Sequence, residues 1–187
     1  MDLFEYILIM TSVIFAMAVA QLLLGFSRLA QSSVRIRPYL AHSVWALILF
    51  VMIFANWWAN WEFRSMAWTL PMYAYMLIAP TLFFFACTLL VPQDFEHDEV
   101  DLAEHFLRIR QPFLWAFFVA SFAIPIDGSL LADEPLWHPG RIGHAAIVFG
   151  ALWGIGTQNK RTHNAIALCV LSGLVWAMYS RAWNPVG

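Results

Sequence analysis

The chain has 187 residues, of which 61% are hydrophobic and only 12% charged, and its formal net charge is −2. Average soluble domains carry roughly 25% charged residues, so a soluble protein with this composition could not cover its apolar surface. The composition therefore indicates a protein whose solvent is the lipid bilayer. The small net charge and the absence of a long basic run argue against nucleic acid as a partner.

Six apolar stretches are predicted to be membrane helices, at residues 6–27, 40–61, 67–91, 112–131, 141–157 and 163–181. A hydrocarbon core of about 30 Å needs about 20 mostly apolar residues for each crossing. The first stretch is interpreted as a helix rather than a cleaved signal, because Asp2 and Glu5 precede it and no basic residue occurs before Arg28. The sequence thus predicts an all-α, polytopic membrane protein whose single domain, residues 1–187, has six transmembrane helices.

The distribution of basic residues predicts the orientation of these helices. Loops one, three and five hold seven Arg or Lys residues, whereas the opposite side of the chain holds three. Cytoplasmic loops carry the excess of basic residues in membrane proteins. We therefore expect a multi-pass protein of the bacterial inner membrane, with both termini on the outer, periplasmic side.

The second stretch, around which we expect the chain to be organised, ends in a dense polar and aromatic segment. Asn56 and Asn60 lie one turn apart, so their amides share a helix face. Judged by depth along each helix, further polar residues reach the same end of the bundle. The candidate ligand-binding residues of this outer cluster are Asn56, Asn60, Glu62, Arg64, Asp127, His138, Arg141, His144 and Arg181. An interfacial aromatic belt with snorkelling polar side chains is the alternative interpretation of these residues.

Two contacts are predicted within the outer cluster. Arg64 follows Trp61 by three positions, which lets the guanidinium lie over the indole ring. Glu62 and Arg64 are two positions apart and should not pair, because they project to roughly opposite sides of the helix. A carboxylate that loses water at this depth is costly unless it is paired. We therefore expect Glu62 to contact Arg141 or Arg181 of the second half of the chain.

The third loop, residues 93–111, is acidic in its first half and basic in its second. Its apolar residues are spaced four and three apart, at Leu102, Phe106 and Ile109. This spacing predicts a short amphipathic helix in the cytoplasmic loop, with Glu99 and Glu104 facing water. His97, Asp101 and His105 would share one face of such a helix, but a solvated face is favoured there over a metal site.

Prolines and glycines predict two features of the later helices. Pro80 lies well inside the third stretch and should kink that helix, because its ring carries no N–H group. Gly143, Gly150 and Gly154 fall on one face of the fifth stretch. Such a face of small residues allows close packing against a neighbouring membrane helix.

Function is less strongly indicated than topology. No ionisable residue is predicted at the membrane centre, which argues against a proton-coupled pump or a voltage sensor. Enzyme motifs are lacking, and no metal or cofactor is indicated, since Cys87 and Cys169 lie in apolar stretches. The favoured function is a non-enzymatic, channel- or transporter-like protomer with a site near the outer face, in a homo-oligomer or with other membrane subunits. The alternatives are an accessory or scaffold subunit of a larger membrane complex and, third, a membrane enzyme acting on a lipid-like substrate.

Overall fold

The computed structural model describes residues 3–92, 99–131 and 140–182, and the side chains of all of these except residues 124–131, 181 and 182. Apart from two three-residue strands, the regular structure in these ranges is helical, which confirms the predicted all-α class. The helices are α1 (Leu3–Gln31), α2 (Leu40–Ala59), α3 (Leu70–Met76), α4 (Ile78–Leu90), α5 (Leu102–Leu131), α6 (Gly140–Gly156) and α7 (Lys160–Ala182). A 3₁₀ turn, Asn60–Phe63, extends α2.

Several helical segments are long and apolar enough to cross a membrane. Within the described ranges, length and composition qualify four of them, Leu3–Gln31, Leu40–Phe63, Leu70–Leu90 and Lys160–Ser180. They coincide with the first, second, third and sixth of the predicted stretches. The protein is therefore built to be embedded in a membrane.

The central element of the bundle is α2, which contacts α1, α4, α5 and α7. On the far side of α5 and α7, α6 packs against both. Trp45 of α2 is fully buried, with its ring edge-on to Phe113 and Phe117 at centroid distances of 5.4 and 4.9 Å. Edge-to-face contacts at this spacing are favourable for aromatic rings. The core of the fold is thus an aromatic and aliphatic layer around the middle of α2.

The third predicted stretch is interrupted close to Pro80, where we expected a kink. It forms two helices that meet at Leu77, one turn ahead of the proline. Because Pro80 has no N–H, the carbonyl of Met76 loses its usual helical donor. The backbone bonds on either side of the break are kept, since the Leu77 N–H donates to Tyr73 and the Leu77 carbonyl accepts from Thr81.

The glycines of α6 lie where this helix meets its neighbours. A Cβ atom added to Gly143 would overlap the backbone carbonyl of Gly173 in α7. Gly150 lies against Val170 of α7, and a Cβ on Gly154 would meet side chains of α5 and α7. The predicted face of small residues therefore packs closely, with α7 as its main partner.

The short amphipathic helix predicted for the third loop is not a separate element. Residues 102–111 are the first turns of α5, which continues through Pro112 to Leu131. Pro112 does not end the helix, although it lacks an N–H group. The apolar face of α5 is buried before the proline at Phe106 and after it at Phe113. The expected burial of Leu102 and Phe106 and the exposure of Glu104 are confirmed, and Ile109 is partly buried.

Two short strands join the first and third loops. Arg35–Arg37 (β1) pairs in parallel with Glu99–Asp101 (β2). Arg37 also forms an ion pair with Glu99, whose side chain is one-third exposed rather than fully solvated. This small sheet fixes the position at which α5 begins.

Asp101 caps the start of α5. Its Oδ1 accepts hydrogen bonds from the N–H groups of Glu104 at 3.1 Å and Ala103 at 2.8 Å. The Glu104 N–H makes the largest contribution to lowering the pKa of Asp101 below its usual 3.8, against a smaller opposing effect of burial. The Ala103 N–H and the charges of Lys160 and Arg37 act in the same direction as Glu104.

Asp101→Ala should lower the free energy of unfolding by about 1 kcal/mol, as the loss of an N-cap usually does. Since the folded-state pKa is the lower one, the carboxylate's contribution is complete above the unfolded-state pKa and is lost as the pH falls through the folded-state value. Asp101→Asn should keep most of the stability and lose this pH dependence. Thermal unfolding in detergent as a function of pH measures both effects, with Glu104→Gln as the exposed control; an equal loss in the control would refute the cap.

Candidate functional site

The two asparagines of the outer cluster differ in their hydrogen bonding. Asn56 Nδ2 donates to the carbonyl of Met52 at 3.0 Å, so this amide is bonded to its own helix. Asn60 is buried, with 8% of its surface exposed, and its Nδ2 has no hydrogen-bond partner within the described part of the chain. Of the two, Asn60 is the one that retains a donor for another molecule.

The predicted contact between Arg64 and Trp61 is present. The guanidinium carbon lies 5.2 Å from the centroid of the indole ring, and Nη1 donates to the Trp61 carbonyl at 3.1 Å. Glu62 is exposed and Arg141 is partly buried at the start of α6. The side chain of Arg181 is outside the described residues, so the contact of Glu62 with one of these arginines stays a prediction.

The second half of the outer cluster is described only in part. The Asp127 side chain and the whole of His138 lie outside the described residues. His144 has a definite role, because its Nε2 lies 2.8 Å from the carbonyl of Ser121 in α5. That carbonyl lacks its usual helical donor, since residue 125 is a proline. His144 thus satisfies a carbonyl freed by Pro125 and ties α6 to α5.

A denser polar layer lies at the opposite end of the bundle, where α2, α5 and α7 begin and α4 and α6 end. Each helix that begins here carries a buried histidine in its first turn. The members of this inner layer are His42, His105, His163, Tyr39, Arg110 and Asn164. The layer was not among the predicted sites.

Within the inner layer, His42 and His105 converge on one carbonyl. Their Nε2 atoms lie 2.9 and 3.1 Å from the oxygen of Leu90, the last residue of α4. The final carbonyls of a helix have no donor from the helix itself. Both rings therefore act as N–H donors, and they connect the end of α4 to α2 and α5.

The hydrogen bonds of His105 define its proton state. Arg108 Nη2 lies 3.4 Å from His105 Nδ1, which accepts a hydrogen bond only when the ring is neutral. Burial lowers the pKa of His105 below its ordinary 6.5; the backbone bonds to Leu89 and Leu90 oppose this, and the Arg108 charge adds to it. His105 is therefore the neutral Nε2–H tautomer near neutral pH.

The same arrangement recurs where α6 ends. Arg110 Nε and His163 Nε2 both lie 3.1 Å from the carbonyl of Thr157, which follows the last residue of the helix. One donor comes from α5 and the other from α7. The carboxyl ends of α4 and α6 are thus each held by two side chains from neighbouring helices.

Tyr39 and Asn164 connect α7 to the start of α2. The Tyr39 hydroxyl donates to the carbonyl of Lys160 at 2.8 Å, and Asn164 Oδ1 accepts the N–H of Ala41 at 3.0 Å. Burial raises the pKa of Tyr39 to about 12, so the phenol stays protonated as a donor. The inner layer is therefore a network that fixes helix ends to one another.

An apolar groove lies between α1 and α2. It has a volume of about 420 Å³ and is lined by Phe15, Val19, Ile53 and Phe54, among others. Its polar contact is the hydrogen bond from Trp57 Nε1 to the Ser12 hydroxyl at 2.9 Å. Such a lining suits an acyl chain or an apolar helix rather than a polar solute.

These features have to be interpreted from the chain itself. No group of three His, Cys, Asp or Glu side chains suited to a metal ion occurs in the parts that the structure describes. The chain matches no protein-family model, no curated protein and no solved structure. The functional proposal therefore rests on the packing of the bundle.

Proposed function

We propose that the chain is a non-enzymatic accessory or scaffold subunit of a membrane protein complex. The observation that carries this proposal is the filled centre of the bundle, where Trp45, Phe83, Phe113 and Phe117 are fully buried. They belong to one apolar cluster that surrounds the middle of α2. A centre filled by these apolar side chains favours a packing role over transport through a single chain.

The outer faces of the bundle support the same proposal. Phe149 and Trp153 of α6 are 68% and 70% exposed, one turn apart on the same face. On the other side of the bundle, the α1–α2 groove offers an apolar surface. In a membrane, faces of this kind contact lipid or the helices of another protein.

We further propose that the bundle crosses a bacterial inner membrane six times, with residues 112–131 of α5 and the helix α6 as the two additional spans. Both termini would lie outside. Seven of the ten basic residues lie in the helix ends and connections at the inner-layer end, which supports a cytoplasmic position for that end.

Cysteine labelling tests this orientation. In a Cys169→Ala background, Ser33→Cys should be protected from a membrane-impermeant thiol reagent in intact cells, while Ser65→Cys should be labelled. Both serines are exposed, so burial does not explain a difference between them. Disruption of the cells should make Ser33→Cys reactive, and the reverse pattern in intact cells would invert the topology.

Two measurements together test the scaffold function. Blue-native electrophoresis of membranes in mild detergent should show the chain in a hetero-complex of fixed size. The purified chain in liposomes should give no flux of protons, potassium ions or small neutral solutes above that of empty liposomes. A homo-oligomer that supports flux would contradict the proposal.

One observation favours the second candidate function, a channel- or transporter-like protomer that works as a homo-oligomer. It is the buried amide of Asn60, whose Nδ2 has no partner within the described residues and could donate to a ligand oxygen. If flux is measured, Asn60→Leu should abolish it and Asn56→Leu should not, because the Asn56 amide is already bonded to Met52. Equal effects of the two substitutions would remove Asn60 as a ligand-binding residue.

A further inference from the structure

The carboxyl end of α4 is held by hydrogen bonds from two histidines. His42 comes from α2 and His105 from α5, and both donate to the Leu90 carbonyl. Their ring centroids are 6.3 Å apart. Beyond Leu90, Val91 is buried against Gly25 of α1, so the same end of α4 also positions its contact with α1.

Each ring makes its bond to Leu90 with Nε2–H, and neither has an acceptor for a second proton within the described residues. At His105, the Nδ1 atom faces the guanidinium of Arg108 at 3.4 Å. At His42, the Nδ1 atom is buried and has no hydrogen-bond partner in the described part of the chain. A second N–H would therefore meet a positive charge in one ring and be an unsatisfied buried donor in the other.

Among the described residues, no carboxylate acts on the two rings to favour the charged form. From α4 they meet the backbone carbonyls of Leu89 and Leu90, and from α1 the ring of Phe26 lies 6.4 Å from His42. The charged or titratable groups that act on the pair, among the described residues, are the two histidines themselves and Arg108.

We propose that His42 and His105 form a pH-responsive clamp, which holds the carboxyl end of α4 in the bundle and releases it when the compartment at that end acidifies. Above the ordinary histidine value of about 6.5 both rings are neutral and the clamp is closed. On acidification, a proton that enters either ring adds a charge beside the other ring or beside Arg108. This property is independent of whether the chain acts as a scaffold or in transport.

The pKa of His105 gives the direction of the effect. Burial, with the Arg108 charge adding to it, lowers this pKa below the unfolded-state value of 6.5. A group whose folded-state pKa is depressed contributes stability that is present above the unfolded-state value and is lost as the pH falls. The clamp should therefore weaken progressively below about pH 6.5.

Amide hydrogen exchange of the end of α4, residues 86–91, tests the clamp in the full chain in lipid nanodiscs. After correction for the intrinsic effect of pH, exchange there should increase at least about tenfold between about pH 7.5 and about pH 5. The His42→Gln/His105→Gln double variant keeps a donor on each side chain but cannot titrate, so its exchange should be independent of pH. His144→Gln, a matched change at the other end of the bundle, should keep the response.

Several outcomes would overturn the proposal. If exchange at the end of α4 in the wild-type chain does not change with pH, the clamp proposal is overturned without any variant. A response that persists in the double glutamine variant would assign it to other groups, such as His163. If the variant does not fold, NMR titration of the His105 ring in the wild-type chain decides the question, because a pKa at or above the ordinary value removes the mechanism.

Discussion

Trp45→Ala should lower the free energy of unfolding by about 3–5 kcal/mol, the usual cost of removing a large aromatic side chain from a packed core. The ring is fully buried between Phe113 and Phe117, so the substitution leaves a cavity at the centre of the bundle. Reversible unfolding in mixed detergent micelles measures the loss.

Two further substitutions test whether the loss of unfolding free energy in Trp45→Ala comes from the buried ring. Trp45→Phe should cost much less, because the indole N–H has no hydrogen-bond partner within the described residues and contributes no bond that could be lost. Trp58→Ala, at a side chain that is 76% exposed, should change the free energy by less than about 0.5 kcal/mol. A loss at Trp58 as large as that at Trp45 would show that the aromatic core around α2 does not dominate stability.

Gly143→Ala should destabilise the protein by about 2–3 kcal/mol, near the top of the usual range for overpacking. The added methyl group would overlap the backbone carbonyl of Gly173, and backbone cannot rotate away as a side chain can. The helices α6 and α7 would have to separate. The same unfolding assay measures the effect.

Gly156→Ala is the matched control for this substitution. It adds the same methyl group to the same helix, but nothing lies within 4 Å of the position. Its effect should stay within about 0.5 kcal/mol. Similar losses at the two glycines would mean that contact with α7 does not determine the cost at Gly143, because intrinsic helix propensity alone favours alanine over glycine.

The parts of the fold that follow from local pattern were predictable. Apolar length identified α2 as a helix long enough to cross a membrane, and the missing N–H of Pro80 predicted a break in the helix near Leu77. The spacing of Arg64 and Trp61 predicted their contact, and the glycine spacing predicted the closely packed face of α6. In each case the cause lies within a few residues of the effect.

The features that the sequence did not reveal depend on residues far apart in the chain. Pairing of β1 with β2 joins segments more than sixty residues apart, and neither strand is longer than three residues. The sequence predicts a membrane helix that begins only at residue 112, a proline. In the structure α5 continues through Pro112, because side chains before and after it are buried.

The inner layer was missed for a related reason. Three histidines in first turns at one end of the bundle were a visible signal, but their acceptors are backbone carbonyls that no side-chain pattern indicates. The outer cluster, in contrast, was conspicuous in sequence because its polar residues stand close together in the chain. The contact of Glu62 with an arginine of the second half stays a prediction.

The central position of α2 has a consequence for the biosynthesis of the protein. Of the four helices that contact α2, only α1 precedes it, and α7 is the last described helix to be synthesised. The acceptors for the Tyr39 hydroxyl and the Ala41 N–H, on Lys160 and Asn164, do not exist until then. A nascent chain that stops before Lys160 therefore leaves one side of its central helix facing lipid, and we expect membrane quality-control proteases to degrade such a chain faster than the finished one.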